Sequence, residues 1–179
     1  MNPGCTIDVA VACAGWTRLC PPAESLARGA AELALARGTI ALRLAWQGPV
    51  ELGITLADAA HQRQLNREYR GLDKPTNVLA FPMWEPEARV PPDAPALLGD
   101  VVLALEPVAQ EAAEQEKPLA DHLLHLTVHG VLHLLGYDHL TQVEAATMES
   151  LERSILAELG VPDPYRDTMS SIEPAAVQS

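Results

Sequence analysis

The pattern of apolar and polar positions predicts strands and helices that succeed each other along the chain. Strands are expected where residues with strand propensity dominate, at 7–13, 40–46, 50–56, 77–84 and 97–105. Helices are expected where apolar residues recur with a helical period or helix formers dominate, at 23–37, 57–70, 106–117, 118–135 and 141–159. This succession predicts an α/β or α+β layer.

Several residues mark where these elements begin and end. Gly71 follows the second helix and Gly136 the fourth, as expected of residues that stop a helix. Thr141 and Glu144 have the spacing of a capping box at the start of the last helix. Pro82 indicates that the fourth strand lies at an edge of the sheet or stops pairing there. The fourth helix is apolar nearly all round, so we expect it to be buried.

Length and hydropathy indicate one soluble domain. The 179 residues are enough for a domain with an apolar core, which we predict over 1–160, and the polar, proline-bearing segment 161–179 is predicted to be a disordered tail. No apolar run approaches the roughly eighteen residues needed to cross a bilayer, so no membrane contact is expected. Cys5, Cys13 and Cys20 are odd in number and form no CxxC pair, which favours the reducing cytoplasm.

The charge of the chain is acidic overall but basic in one place. Twelve basic against twenty-four acidic residues give a net charge of −12, which repels nucleic acid at long range. Four basic residues nevertheless fall between positions 63 and 74, namely Arg63, Arg67, Arg70 and Lys74. The three arginines share one face of the second helix. They form either an ordinary solvated face or a group of cations near a phosphodiester, whose oxygens the arginine fork fits.

Three histidines have the spacing of metal ligands. His129 and His133 lie one turn apart on one face of a helix, about 6 Å along its axis, and can converge on one ion. Gly136 permits a left-handed turn that brings His139 back toward the pair, in the pattern H-x-x-x-H-x-x-G-x-x-H. Three nitrogen ligands without a fourth protein ligand are typical of a catalytic zinc ion, because a position stays open for water.

The neighbouring residues limit this interpretation. His125 lies two turns, roughly 12 Å, before His133 and cannot share its metal ion. His122 and His125 are more simply core histidines with satisfied hydrogen bonds. Gly130 follows the first ligand, where zinc peptidases carry a glutamate base, so a peptidase would lack its proton acceptor. Asp138 either acts on the metal site, by orienting a ligand or accepting a proton, or caps the turn.

Three segments carry a resemblance to a known family. They are HGVLHLLGYDH at 129–139, YRGLDKPTNVLAFP at 69–82 and LLGDVVLAL at 97–105. Together they resemble the YbeY family of ribosomal-RNA maturation endoribonucleases. The resemblance extends over about residues 5 to 160, and in the N-terminal half it is mainly one of pattern. Ala80 stands where members of the family often have serine.

The resemblance implies a fold, a cofactor and an activity. The fold would be α+β, with a mixed sheet of about four to five strands flanked by about five helices and a metal site at the end of a buried helix. One zinc ion would be held by His129, His133 and His139, and Arg70 would be required for function. The implied activity is single-strand-specific RNA cleavage in small-subunit ribosomal-RNA maturation and ribosome quality control, with proteins of the small subunit as candidate partners.

These residues lead to one mechanistic hypothesis and two rivals. Bound zinc would activate a water and polarise the scissile phosphate, with catalytic roles for His129 and for Arg70, which neutralises charge in the transition state. Arg63, Arg67 and Lys74 would hold the flanking RNA backbone. The rivals are a zinc peptidase-like hydrolase and a non-catalytic ribosome assembly factor with structural zinc.

Overall fold

Four strands form one mixed sheet in the computed structural model, which describes residues 4–166. The strands are β1 (Cys5–Val11), β2 (Val50–Ala57), β3 (Val78–Pro82) and β4 (Ala96–Ala104). Their order is β1-β2-β4-β3, with β1, β2 and β4 parallel and β3 antiparallel to β4 at one edge. The predicted α+β fold with a mixed sheet is confirmed, and Pro82 ends an edge strand as its position predicted.

Six helices surround the sheet within the described part of the chain. They are α1 (Gly15–Leu19), α2 (Ala23–Ala41), α3 (Ala59–Arg70), α4 (Leu105–Glu114), α5 (Leu119–Leu134) and α6 (Gln142–Glu158). Helices α2 and α5 pack against each other, α2 lies on β1, and α5 lies on β3 and β4. The main apolar core therefore lies between these two helices and the sheet, and the predicted burial of α5 is confirmed.

A glycine sets how closely α5 approaches the sheet. A Cβ at Gly130 would lie 2.6 Å from Cγ1 of Val101, a fully buried residue of β4. Any side chain larger than hydrogen would therefore push the helix away from the strand. As a result, the backbone beside His129 rests directly on β4.

The predicted signals at the ends of the helices are confirmed. Gly71 ends α3 with a left-handed φ of 66°, and Gly136 follows α5 with a φ of 95°. The Thr141 hydroxyl accepts from the amide of Glu144 at 3.1 Å, and the Glu144 carboxylate accepts from the amide of Thr141 at 3.1 Å. This capping box starts α6 at the position that the sequence indicates.

The predicted strand at 40–46 is wrong. Helix α2 continues through Gly38 to Ala41, and the chain then turns at Arg43, whose φ is 54°. A Cβ at Gly38 would lie 2.4 Å from Cδ1 of Leu135, so this part of α2 lies tightly against the end of α5. These tertiary contacts outweigh the local strand propensity. The sequence patterns also do not predict the short helix α1.

The tail predicted over 161–179 falls mostly outside the described residues. Its first residues, 161–166, are described: Val161 is buried and Tyr165 contacts α5 and α6. The prediction of disorder for the remainder stays a prediction. Within 4–166, every helix is too short or too polar to cross a lipid bilayer.

Candidate metal centre

Three imidazole rings converge at the end of α5. His129 and His133 project from one face of the last turns of the helix, and His139 returns from the loop after it. One ligand atom from each ring lies within 4.8 Å of the others, and the Nε2 atoms of His129 and His133 are 3.0 Å apart. The set predicted as metal ligands is thus brought together in a geometry that can hold an ion.

The turn at Gly136 makes this convergence possible. The positive φ of Gly136 bends the chain so that the amide of Tyr137 donates to the carbonyl of Leu132 at 3.1 Å. The Tyr137 carbonyl then accepts from Nδ1 of His133 at 2.9 Å. One short turn therefore both returns His139 to the helix and fixes the ring of His133.

The residues of the cluster fit a metal ion. Nε2 of His139 is buried and has no hydrogen-bond partner among the described residues, although a buried polar nitrogen normally has one. Burial, followed by the neighbouring His129 and His139, lowers the pKa of His133 to about 4, so this ring is neutral at pH 7 and can donate a lone pair. Three imidazoles suit zinc, copper, iron or nickel. The geometry therefore defines a candidate metal site whose ligands suit a transition metal.

Glu152 of α6 is a member of this site that the sequence analysis missed. It is 0% exposed, and its Oε1 lies 2.5 Å from Nδ1 of His129. Its position carried a signal, because Met148, Glu152, Ile155 and Leu156 form the buried stripe of α6. A glutamate in the middle of an apolar stripe indicates a buried partner, which here is a metal-ligand candidate.

The carboxylate of Glu152 is ionised and accepts hydrogen bonds only. Burial by itself would raise the pKa of Glu152, but hydrogen bonds from His125 and His129 outweigh burial and lower it. The Tyr165 hydroxyl donates to Oε2, and burial together with Glu152 raises the pKa of that tyrosine. Because an ionised carboxylate only accepts, Nδ1 of His129 carries the proton and Nε2 presents its lone pair to the cluster.

The other two histidines of α5 lie outside the cluster. His122 is 4% exposed, and its Nε2 lies 2.7 Å from Oε2 of Glu111, which also accepts from Nδ2 of Asn77 at 3.0 Å. Nε2 of His125 lies 3.4 Å from Oε2 of Glu152. The Nε2 atom of each ring faces a carboxylate, but both Nδ1 atoms have no partner within the described chain and His125 is only partly buried, so the expectation of satisfied core histidines is met only in part.

Arg70 lies at the free edge of β3. It is the last residue of α3, its Nη2 donates to the Ala80 carbonyl at 3.2 Å, and its guanidinium lies 5.7 Å from the centre of the Phe81 ring. Ala80 pairs with Val101, the residue on which Gly130 of α5 rests. Arg70 is thus anchored to the strand next to the one that supports the metal-bearing helix.

The other basic residues that were predicted to bind RNA contact residues near the end of α3. Nε of Arg63 and Nη2 of Arg67 each lie 2.8 Å from Oδ1 of Asp73, and the hydrogen bonds from Arg63 and then Arg67 lower the pKa of that carboxyl group. Lys74 is exposed, and its carbonyl accepts from Asn66. An RNA-binding role for these residues stays a prediction.

Asp138 caps the turn, which is one of the two roles considered for it. Its Oδ1 accepts from the amide of His139 at 2.8 Å, and its charge opposes the lowering of the pKa of His133. The contacts that orient the imidazole rings of His129 and His133 come instead from Glu152 and from the carbonyl of Tyr137.

The fold and the site together define a class of protein, an α+β domain with a three-histidine cluster that can hold a metal ion at the end of a buried helix. The sequence profile of the endoribonuclease YbeY family matches residues 25–160. A relative from Paramagnetospirillum magneticum, named endoribonuclease YbeY, is 54% identical over 163 residues, which cover 89% of this chain and 96% of the relative. Another of the same name from Chelativorans is 46% identical and covers 92% and 95%, respectively. This chain belongs to the endoribonuclease YbeY family, which confirms the resemblance in its sequence.

A solved structure supports the fold independently. The solution structure of a Thermotoga maritima protein matches 96% of this chain and 100% of its own length, with a TM-score of 0.51. The two sequences are 19% identical, so this likeness bears on the fold alone.

Proposed function

We propose that this protein is a zinc-dependent endoribonuclease that cleaves single-stranded RNA in the maturation of small-subunit ribosomal RNA and in ribosome quality control, in the bacterial cytoplasm. The observation that carries the proposal is the convergence of His129, His133 and His139, with the buried Nε2 of His139 lacking a partner in the described chain. Its relatives in the family bear the name endoribonuclease, which supports RNA as the substrate.

The chain would hold zinc through the three Nε2 atoms. When bound, zinc supplies a Lewis acid that can activate water and polarise a phosphoryl oxygen. Glu152 and the Tyr137 carbonyl fix the Nδ1 protons of His129 and His133, so both lone pairs are directed into the cluster. The protein thereby restricts the ligand orientation before any substrate arrives.

Arg70 is the residue we assign to the phosphate. Its planar fork can form two hydrogen bonds to phosphoryl oxygens, and its positive charge offsets the negative charge that grows in the transition state. The Ala80 carbonyl and the Phe81 ring hold the guanidinium in position. Lys74, Arg63 and Arg67 would bind the flanking backbone. Because the net charge is −12, such contacts act locally.

The first experiment is cleavage of an end-labelled single-stranded RNA by the zinc-loaded protein. The variant His133→Ala, purified in the same way, shows whether contaminating nucleases contribute, and His61→Ala at an exposed site on α3 is the matched control. We expect cleavage by wild type and His61→Ala, and none by His133→Ala. Equal cutting by all three proteins, or by none, would reject intrinsic nuclease activity and favour the assembly-factor alternative.

The chemistry of the products sharpens the mechanism. Analysis of the new 3′ ends distinguishes attack by water from attack by the ribose 2′-hydroxyl, because only the latter leaves a cyclic phosphate. A protein substrate in the same reaction tests the peptidase alternative, against which Gly130 argues. We expect no proteolysis.

A further inference from the structure

The segment after α6 turns back toward the metal centre. Gly160 has a φ of 75°, and the amide of Val161 donates to the carbonyl of Leu156 at 2.9 Å, so the chain reverses immediately after the helix. The ring of Tyr165 then meets the ring of His125 edge to face, with centres 5.6 Å apart. Tyr165 therefore lies beside His125 and Glu152, which both neighbour His129.

Tyr165 is held in position by contacts that do not involve Glu152. Its amide donates to Oδ1 of Asp163 at 2.8 Å, and the same oxygen accepts from Nε of Arg153 at 3.2 Å. The Arg153 guanidinium lies 5.1 Å from the centre of the tyrosine ring. These contacts fix the position of the tyrosine ring, so its hydroxyl is preorganised to donate to Glu152.

Glu152 requires a donor on each carboxylate oxygen. It is 0% exposed, and ionised oxygens removed from water are costly unless they accept hydrogen bonds. Oε1 faces Nδ1 of His129, whereas Oε2 accepts from the Tyr165 hydroxyl and lies 3.4 Å from Nε2 of His125. Without the hydroxyl, Oε2 loses its short hydrogen bond and keeps only the longer contact with His125, so the carboxylate is held less firmly against His129.

We propose that Tyr165 is a positioning residue of the metal centre, which acts through Glu152 on the ring of His129. The proposal rests on the proposed role of the three histidines as metal ligands. Tyr165 holds Glu152, Glu152 holds the Nδ1 proton of His129, and the lone pair of Nε2 is thereby directed at the ion. The first residues beyond the last helix are consequently part of the site.

The test is the zinc affinity of Tyr165→Phe, measured by competition with a chromophoric chelator. This substitution removes one hydroxyl and keeps the ring contacts with His125 and Arg153. We expect the dissociation constant to rise by about threefold or more, and by about 10- to 100-fold in Glu152→Gln. Tyr69→Phe, which removes the same hydroxyl from a residue that is 71% exposed, is the matched control and should bind zinc like wild type.

A second readout separates positioning from general stability. Cobalt(II) replaces zinc in each protein, and its visible absorption spectrum reports ligand geometry. We expect a shifted spectrum in Tyr165→Phe and in Glu152→Gln, with apo proteins that remain folded by circular dichroism. Unchanged zinc affinity and spectrum in Tyr165→Phe overturn the proposal, whether or not that variant melts at a lower temperature.

The outcomes also distinguish this proposal from the proposed function. If wild type binds zinc and cuts no RNA, but Tyr165→Phe weakens zinc binding, the positioning role of Tyr165 stands and the nuclease function is rejected. If wild type cuts RNA but Tyr165→Phe leaves the zinc affinity unchanged, the nuclease function stands and the positioning role of Tyr165 is rejected. A wild type that binds no transition metal overturns both.

Discussion

The two ends of α5 carry histidines in opposite situations. Near its start, His122 has a carboxylate partner in Glu111, which is itself held by Asn77. At its end, the Nε2 atoms of His129 and His133 face each other, and that of His139 lacks any partner within the described residues. The same side chain on the same helix thus pairs its Nε2 with a carboxylate at one end, while at the other end the Nε2 atoms converge on each other.

The difference teaches how a metal site is recognised among buried histidines. Burial does not discriminate, because His122 is more buried than the candidate ligands. What discriminates is the neighbour of Nε2: the Nε2 atom of His122 meets a carboxylate, whereas those of His129 and His133 meet each other and are left in need of a cation. Four predictions test this contrast.

The largest effect is expected at the metal end. At free zinc about 1,000-fold above the dissociation constant, binding should stabilise wild type by about 4 kcal/mol, and thermal melting with and without zinc measures this. His133→Ala should lose nearly all of that gain, because two ligands remain. His122→Ala should keep it, although its apo form is less stable. An equal loss in both variants would abolish the distinction between the two ends.

The second-largest effect is expected for Arg70→Lys, which should slow RNA cleavage without changing metal binding. Lysine keeps the charge but loses the bidentate fork, so we expect the rate constant of cleavage to fall by about tenfold or more while zinc affinity is unchanged. Single-turnover cleavage and chelator competition measure the two quantities. Arg18→Lys, at an exposed position of α1, is the control. Unchanged turnover in Arg70→Lys would remove Arg70 from its assigned role.

Glu111→Gln should have a smaller effect, confined to stability. Burial acts to raise the pKa of Glu111, but hydrogen bonds from His122 and Asn77 outweigh it and hold the pKa below the ordinary value of 4.5. The carboxylate therefore contributes stability above pH 4.5, and this contribution is lost as the pH falls through the lower folded-state pKa. We expect a loss of about 1 kcal/mol at pH 7 that shrinks in acid.

Denaturant unfolding as a function of pH measures this dependence. Glu114→Gln on the same helix, an exposed position, is the matched control and should show little loss. A cost of Glu111→Gln that is constant down to strongly acidic pH, or a weakened affinity for zinc, would contradict the purely structural role of Glu111.

The smallest effect is expected on RNA binding by the arginines of α3, which are paired with a carboxylate as His122 is. Asp73 forms ion pairs with Arg63 and Arg67, much as Glu111 pairs with His122. Asp73→Asn should release both arginines, tighten single-stranded RNA binding, and steepen its logarithmic salt dependence by up to about 0.7 for each phosphate gained. Asp8→Asn removes the same charge from the exposed β1 and is the control. Equal behaviour of the two variants would assign the arginines to an ordinary solvated face.

The sequence predicted the part of the site that is local along the chain. His129, His133, Gly136 and His139 lie within eleven residues, and helix geometry with one glycine turn determines how they meet. Glu152 lies 23 residues from His129 on another helix, so no spacing rule finds it; only its place in an apolar stripe gives a hint. The strand predicted at 40–46 failed for a related reason, because the contact of Gly38 with Leu135 that extends α2 is tertiary.

The contact between Gly130 and Val101 also limits which activities this chain can reach by mutation. A glutamate at position 130 would supply the base that zinc peptidases use, but its Cβ would lie 2.6 Å from a methyl group of a β-branched residue that is 0% exposed. The change would have to be accompanied by a smaller residue at 101, and each substitution alone would lower fitness through instability. A glutamate base at position 130 therefore requires at least two coordinated substitutions, and a single substitution is not enough.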